Sequence, residues 1–349
     1  MAATYRAALI GTGGISNWHM SYYVPHQRVE LLAAADINEQ SLEAFGEKYQ
    51  VQALYTDWER MLDEVRPDIV SICTWNATHP PMTIAAAEAG AKGIICEKPL
   101  GEDLGGPMDA IAACERTGCK LTVHEQRRYM TGFATARTLL GQGVIGSPLK
   151  LFWRNEGGLL NIGTHFVDAA NFVLGDPDWT GVIGWVQRNT DRYERGSYCE
   201  EKTCALVDFA GGHQLSLSMD VTEGDATQIC SAIGPDGLMY FDREAVTVFD
   251  CDGRSQPEPE PVPDFLDDLL GWIEDGPEHR NAARHGLRTQ QIMMAIYESA
   301  RTRTRITPPY TKRESPLAEM IASGELKAEG QPYDIRSAVA MKYHKGKGE

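Results

Sequence analysis

Short apolar runs alternate with stretches of helical periodicity from residue 5 to about residue 124, the pattern of βαβ units around a parallel sheet. The expected strands are residues 7–11, 29–35, 68–74, 92–96 and 120–123, with helices over 39–49, 82–89 and 104–117 among the segments between them. Residues 1–124 are therefore expected to form an α/β Rossmann-type domain. After about residue 125 the rhythm changes. A helix over 133–140, a strand over 148–153 and a helix over 161–174 lead into strands at 181–188, 202–209, 213–220, 228–233 and 245–249. Gly211-Gly212 and Pro235-Asp236-Gly237 are hairpin signals within that series, so residues 125–310 are expected to be α+β with a large, mostly antiparallel, open-faced sheet.

Pro257, Pro259, Pro261 and Pro263 make a stiff extended connector before helices at 264–274 and 281–303. Residues 311–349, with Leu317, Met320, Ile321 and Ile335 as apolar anchors, read as an arm that packs on its own domain or on a neighbour, or as a tail.

Composition narrows the class of partner. The chain has 349 residues, enough for two domains, and a formal net charge of −16, which speaks against nucleic acid or an anionic membrane surface as the main partner. None of the eight cysteines forms C-x-x-C, and Cys73 and Cys96 fall within apolar runs, so the thiols are expected to be reduced packing residues. No signal-peptide pattern and no apolar stretch of about 18 residues occurs, which predicts a cytoplasmic protein.

Candidate chemistry starts at Gly11-Thr12-Gly13-Gly14-Ile15-Ser16, a glycine turn between a strand and a helix, with Ser16 at the third fingerprint position. Such a turn lets backbone N–H groups approach a pyrophosphate. Asp36, at the end of the next strand, is placed to accept from the adenosine ribose, and Ile37 and Asn38 after it offer no cation for a 2′-phosphate. NAD is expected in preference to NADP. The loop Thr74-Trp75-Asn76-Ala77-Thr78-His79 follows another strand and would pass the nicotinamide half, with Thr78 also suited to cap a helix. Glu97-Lys98-Pro99 ends a buried strand, so Lys98 should point into a cofactor cleft. In the second domain Asn161 and His165 are spaced to share a helix face, with Asp168 three residues on; a histidine there can take a hydroxyl proton. No histidine pair has H-x-x-x-H spacing, so no metal is expected.

Taken together, G-T-G-G-I, Asp36, C-T-W-N-x-x-H, E-K-P, H-E-Q-R-R-Y and N-x-G-x-H-x-x-D resemble the Gfo/Idh/MocA family, which includes glucose–fructose oxidoreductase and inositol dehydrogenase. The resemblance runs in order from about residue 5 to residue 303. It implies an NAD(P)-dependent oxidoreductase acting on a sugar, glycoside or cyclitol, with the active site between the Rossmann domain and the sheet, and the sheet's other face used to build a homo-oligomer, a dimer or tetramer. By motif, Lys98 would hold the reacting hydroxyl and His165 would be the general base. Glu97 and Gln126 would line the nicotinamide, Thr74, Asn76 and His79 would border the cofactor, and Arg127, Arg154 and Asn161 would join Lys98 and His165 around the substrate. Relatives commonly carry aspartate where this chain has Asn161, and often a longer loop where the 148–153 strand passes into Gly157-Gly158.

Three functions follow from this reading. The first is an NAD-dependent dehydrogenase that makes a ketone. The second is a glycosidase that works by transient oxidation and elimination, and the third a sugar and NAD sensor. Retention of both Lys98 and His165 favours catalysis.

Overall fold

A computed structural model describes residues 4–155, 157–219 and 229–336. Residues 220 and 228, at the ends of two expected strands, and residues 337–349 of the expected arm lie outside the described residues. The chain divides into two compact units: one of residues up to Gly101, Gly105–His124 and Pro263–Leu287, the other of Glu102–Leu104, Glu125–Val262 and Arg288 onward.

The first unit is a six-stranded parallel sheet of β1 (Tyr5–Ile10), β2 (Val29–Ala35), β3 (Ala53–Tyr55), β4 (Ile69–Ile72), β5 (Gly93–Cys96) and β6 (Lys120–Val123), in the order β3-β2-β1-β4-β5-β6. Ala7, Ala8, Leu9, Ile69, Val70, Ile94 and Ile95 are fully buried, as strands covered on both faces must be. Helices α1 (Ser16–Tyr23), α2 (Glu39–Tyr49), α3 (Trp58–Val65), α4 (His79–Glu88) and α5 (Gly105–Thr117) supply the crossovers. Strand β3 and helix α3 were not expected. The strand is three half-buried residues at an edge, too short for a periodic signal, while α3 is announced by Asp57, whose side chain accepts from the N–H groups of Glu59 and Arg60. Strand order reverses between β1 and β4, which opens a crevice at their carboxyl ends.

Residues 263–287, expected in the second domain, belong to the first unit. Helix α8 (Phe265–Ile273) buries Phe265, Leu266, Leu269 and Leu270. Phe265 stacks on Tyr22, with ring centroids 4.9 Å apart, and a Cβ on Gly93 would stand 2.8 Å from Ile273 Cδ1. An apolar helix face finds its partner wherever one is open, and the chain order carries no sign of it.

The second unit is built on an eight-stranded sheet. Its strands are β7 (Lys150–Asn155), β8 (Trp179–Gln187), β11 (Lys202–Phe209), β12 (Gln214–Met219), β13 (Ile229–Gly234), β14 (Gly237–Phe241), β15 (Val246–Asp250) and β16 (Gly253–Ser255), in the order β16-β15-β14-β13-β7-β12-β11-β8. All pairs are antiparallel except β7 with β12. Leu151 and Trp153 face inward, against helices α6 (Thr131–Gly141) and α7 (Thr164–Val173); Trp153 meets Phe166 edge-on, with centroids 6.0 Å apart. The other face is open. Register aligns Ile183, Leu206, Ser216, Phe152, Ser231 and Tyr240 in one row across it. Phe152, Ile183, Trp185, Ile233, Tyr240 and Phe249 are exposed there.

A small sheet joins β9 (Thr190–Glu194) to β10 (Ser197–Tyr198) and, in parallel, to β17 (Glu329–Asp334). With α10 (Pro316–Ala322), which buries Leu317 and Met320, the described part of the expected arm folds within this unit. Helix α9 (Ala283–Thr302) starts in the first unit and continues in the second. Among the described residues no helix is long and apolar enough to cross a membrane.

Candidate active site

Gly11 follows β1 with φ of +93°, a conformation open to glycine, and a Cβ there would stand 2.7 Å from the carbonyl oxygen of Cys73. The turn and the loop after β4 can therefore approach each other only with glycine at this position. Ser16 is buried and donates to the Gly13 carbonyl at 2.6 Å, so the third fingerprint position closes the turn through its hydroxyl. Gly13 and Gly14 are exposed beside it, and Ile15 is half-buried at the start of α1. Asp36 accepts through Oδ2 from the Thr12 N–H (2.7 Å) and hydroxyl (3.0 Å), and through Oδ1 from the Asn38 N–H (2.8 Å). Gly11, Gly13, Asp36, Ile37, Thr74 and Trp75 are among the walls of a cleft of about 520 Å³ that has no lysine or arginine in its lining. Ile37 (89 % exposed) and Trp75 (58 % exposed) leave two large apolar side chains open on it. A glycine cradle, an acid placed for a ribose diol and apolar walls for a flat base fit the adenosine half of a dinucleotide without a 2′-phosphate.

Beyond this cleft the first unit differs from expectation at three residues, Glu97, His79 and Asn76. Glu97 does not line the cleft; its carboxylate turns inward. Oε1 accepts from His124 Nδ1 (2.6 Å) and His19 Nε2 (3.1 Å), all three groups being buried. His124 Nε2 in turn accepts from the Tyr22 hydroxyl (2.9 Å), which accepts from Trp18 Nε1 (2.8 Å), and His19 Nδ1 lies 2.9 Å from the Ser71 hydroxyl. An ionised carboxylate only accepts, so the ring nitrogens of His124 and His19 that face Glu97 are the donors of this pair of hydrogen bonds. Burial opposes that ionisation, but the two histidines outweigh it and hold the carboxyl well below the usual range; burial draws His19 below the ordinary histidine range. The ligand-capable atoms of His19, Glu97 and His124 all lie within 4.8 Å of one another, a grouping that spacing along the chain did not reveal.

His79 likewise sits behind the cleft wall. Its Nδ1 is 2.7 Å from the Pro99 carbonyl and its Nε2 3.1 Å from that of Thr74, so it ties the loop after β4 to the E-K-P turn. Burial outweighs those two acceptors and lowers its pKa. Asn76 is buried and also absent from the lining, while Thr78 uses its hydroxyl on Thr74 and the Trp75 carbonyl and makes no side-chain cap. Lys98 is 7 % exposed, one residue past Glu97 at the carboxyl edge of β5.

In the second unit, one wide π-type turn (Leu159–Gly163) precedes α7, so Asn161 and His165 are not on one continuous α-helix. Different carboxylates hold them. Asn161 Nδ2 donates to Glu194 Oε1, which also accepts from Arg336 Nε at 2.7 Å. His165 Nδ1 lies 2.6 Å from Glu125 Oε2, and the Thr164 hydroxyl donates to the other oxygen. Asp168 receives a two-point contact from Arg128, 2.8 Å at each oxygen, and Arg128 also reaches Asp176 at 2.9 Å. The aspartate of G-x-H-x-x-D and the second arginine of H-E-Q-R-R-Y are thus one buried brace.

Arg127, expected at the substrate, is packed with its guanidinium carbon 4.2 Å from the Phe166 ring centroid and 5.4 Å from that of Phe133, and burial lowers its pKa to about 10. Arg154 alternates with Trp153 and shares the open face with Phe152, away from α7, so its expected place beside His165 is corrected by the period of the strand. Gln126 Oε1 is buried without a partner among the described residues. His19 and Glu194 escaped the sequence reading, and His124 and Glu125 entered it only within H-E-Q-R-R-Y, without a role. The rule that singled out Lys98, a polar residue at the carboxyl edge of a parallel strand, applies equally to His124 and Glu125 after β6.

A reversed parallel sheet, a glycine turn and an acid at the end of β2 make this a Rossmann-type nucleotide-binding unit. Residues 5–125 match the family model for the oxidoreductase family with an NAD-binding Rossmann fold. The D-apiose dehydrogenase of Paraburkholderia graminis is 24% identical over 365 residues, covering 93% of this chain and 95% of that protein. The D-glucoside 3-dehydrogenase of Escherichia coli is 26% identical over 344 residues, covering 86% and 97%. An oxidoreductase from Agrobacterium radiobacter, solved in complex with NAD+, L-tartaric acid and magnesium, superposes with a TM-score of 0.74 at 20% identity over 87% of this chain and 98% of its own, a likeness of fold. Over residues 5–125 the chain is thus similar to the Gfo/Idh/MocA family of NAD-binding oxidoreductases.

Proposed function

We propose that the protein oxidises a secondary ring hydroxyl of a sugar, glycoside or cyclitol to a ketone. Relatives aligned over most of their length and named for apiose and glucoside oxidation support the substrate class. The observation that carries the chemistry is buried Lys98 at the edge of β5, because a lysine is seldom buried in a turn that has no use for its charge.

NAD, when bound, supplies the hydride acceptor. Gly11, Thr12, Gly13, Gly14 and Ile15 would hold its pyrophosphate through backbone N–H groups, and Asp36 would accept from its ribose diol. Thr74 borders the same cleft, with Asn76 and His79 supporting that loop. Lys98 is proposed to bind the reacting hydroxyl through its ammonium, which favours the developing alkoxide. His165 is proposed to take the hydroxyl proton while the carbon-bound hydrogen leaves as hydride, and Asn161 to orient a substrate hydroxyl by hydrogen bonding. Eight free thiols support a reducing, cytoplasmic setting. A second copy of the chain is proposed to cover the open sheet face, since six large apolar side chains exposed together are unusual for a monomer.

Incubating the protein and NAD with a panel of sugars, cyclitols and aryl glycosides, and following NADH absorbance and aglycone release together, tests the proposal. NADH should accumulate. Aglycone release without net NADH would instead mean bond cleavage by transient oxidation, and binding without either product would mean a sensor.

A further inference from the structure

We propose that Glu125 is the positioning carboxylate of His165, doing for this chain what an aspartate at position 161 would otherwise do. The inference deepens the reading of His165 as the general base and rests on it.

The argument begins with what Asn161 cannot do. Its amide neither takes up a proton nor carries charge at any working pH, and its Nδ2 is turned to Glu194, which is also held by Arg336. Glu125 comes from a different part of the sequence. It is buried at the end of β6, where a turn (Gln126–Tyr129) begins. Its two oxygens meet two consecutive residues of α7: Oε1 accepts from the Thr164 hydroxyl at 2.5 Å, and Oε2 lies 2.6 Å from His165 Nδ1.

An ionised carboxylate only accepts, so Nδ1 must carry the proton and the lone pair of the neutral ring resides on Nε2. That tautomer makes Nε2 the proton acceptor. The carboxylate also stabilises the imidazolium that forms when the hydroxyl proton arrives. The brace fixes the geometry, because Arg128, three residues past Glu125, grips Asp168, three residues past His165, with two contacts of 2.8 Å. The turn that carries the acid and the helix that carries the histidine are thereby locked together.

Nitrogen-15 NMR of histidine-labelled full-length protein with NAD bound, with the His165 signals assigned by their loss in His165→Ala, reads this pairing without any substrate. Wild type should show the Nδ1–H tautomer. Glu125→Gln should lower the His165 pKa, because a negative charge next to the ring is lost, and shift the tautomer towards Nε2–H, because the new amide can donate to Nδ1. Glu125→Asp should restore most of the wild-type titration. Should Glu125→Gln fail to fold, the wild-type tautomer alone decides, and Nε2–H there overturns the inference. So does an unchanged titration in a folded Glu125→Gln. With a turned-over sugar from the panel, Glu125→Gln should reduce kcat by about 10²- to 10⁴-fold and move the acid limb of the pH profile to lower pH, with NAD affinity unchanged. If His165→Ala keeps full activity while the NMR pairing holds, the fault lies with the role given to His165, not with the pairing.

Discussion

Oε1 of Glu97 accepts from His124 Nδ1 at 2.6 Å, and the same oxygen accepts from His19 Nε2. The residue before Lys98 is thus pinned by two helix- and strand-borne rings, and its other oxygen faces the Lys98 N–H at 3.3 Å. Glu97→Gln would set an NH₂ group against that N–H and remove the charge on which both histidines depend. Loss of charge-assisted buried hydrogen bonds predicts about 2–3 kcal/mol of destabilisation, measured as a lower urea midpoint with an unchanged slope. A variant as stable as wild type would mean that the network is not the anchor of the E-K-P turn.

Acid should destabilise the first unit before it destabilises most proteins of this size. Burial draws His279 down to about 4 and also lowers His19 and His79. Above pH about 6.5 these histidines are neutral in both states and contribute nothing; as pH falls through that value the unfolded chain takes up protons that the folded chain does not. Glu97, held well below its usual range, adds stability above about pH 4.5 that is lost as pH falls further. Both effects have the same sign. The urea midpoint should therefore decline from about pH 6.5 downwards, with net proton uptake on unfolding. A midpoint that is flat between about pH 7 and pH 5 would contradict the burial of these rings.

Trp75 and Ile37 line the cleft of the first unit with exposed apolar surface. Stacking of a base on an aromatic ring is worth about 1–3 kcal/mol, so Trp75→Ala should weaken NAD binding by roughly tenfold or more. Titration calorimetry checks this, and equal affinity would move the adenine elsewhere. In the same assay Asp36→Ala should narrow the preference for NAD over NADP, since the carboxylate that repels a 2′-phosphate is removed.

The open sheet face makes a separate prediction. Trp185 is 50 % exposed and Phe152 47 %, both on that face. If a second copy covers them, the wild type should sediment as a dimer or tetramer, and Trp185→Glu should shift it towards monomer with its far-UV dichroism unchanged. A monomeric wild type would leave this face without the proposed occupant.

Much of this molecule is legible in the chain. Parallel strands buried on both faces read as continuous apolar runs, and the hairpins at Gly211-Gly212 and Pro235-Asp236-Gly237 join antiparallel neighbours as their turns require. Gly11 and Asp36 share one cleft because a strand-turn-helix unit is a local structure. What was not legible is what depends on long-range closure. Helix α8 joins the first unit across more than a hundred intervening residues, β17 pairs with β9 in the same way, and β7 lies parallel to β12, although the local signals are those of a meander. The carboxylate partners of Asn161 and His165 belong to this class, because Glu194 and Glu125 meet them only in the folded chain. Arg154 was misplaced for a simpler reason. One position along a strand reverses the face, and its motif carried no register.

The central claim is that Lys98 and His165 move the proton while NAD accepts the hydride, and the most direct measurement compares wild type, Lys98→Ala and His165→Ala on the panel compound that gives most NADH. We predict unchanged NAD affinity in all three and NADH formation slowed by about 10²- to 10⁴-fold in each variant. NADH formation at the wild-type rate in either variant would contradict the account.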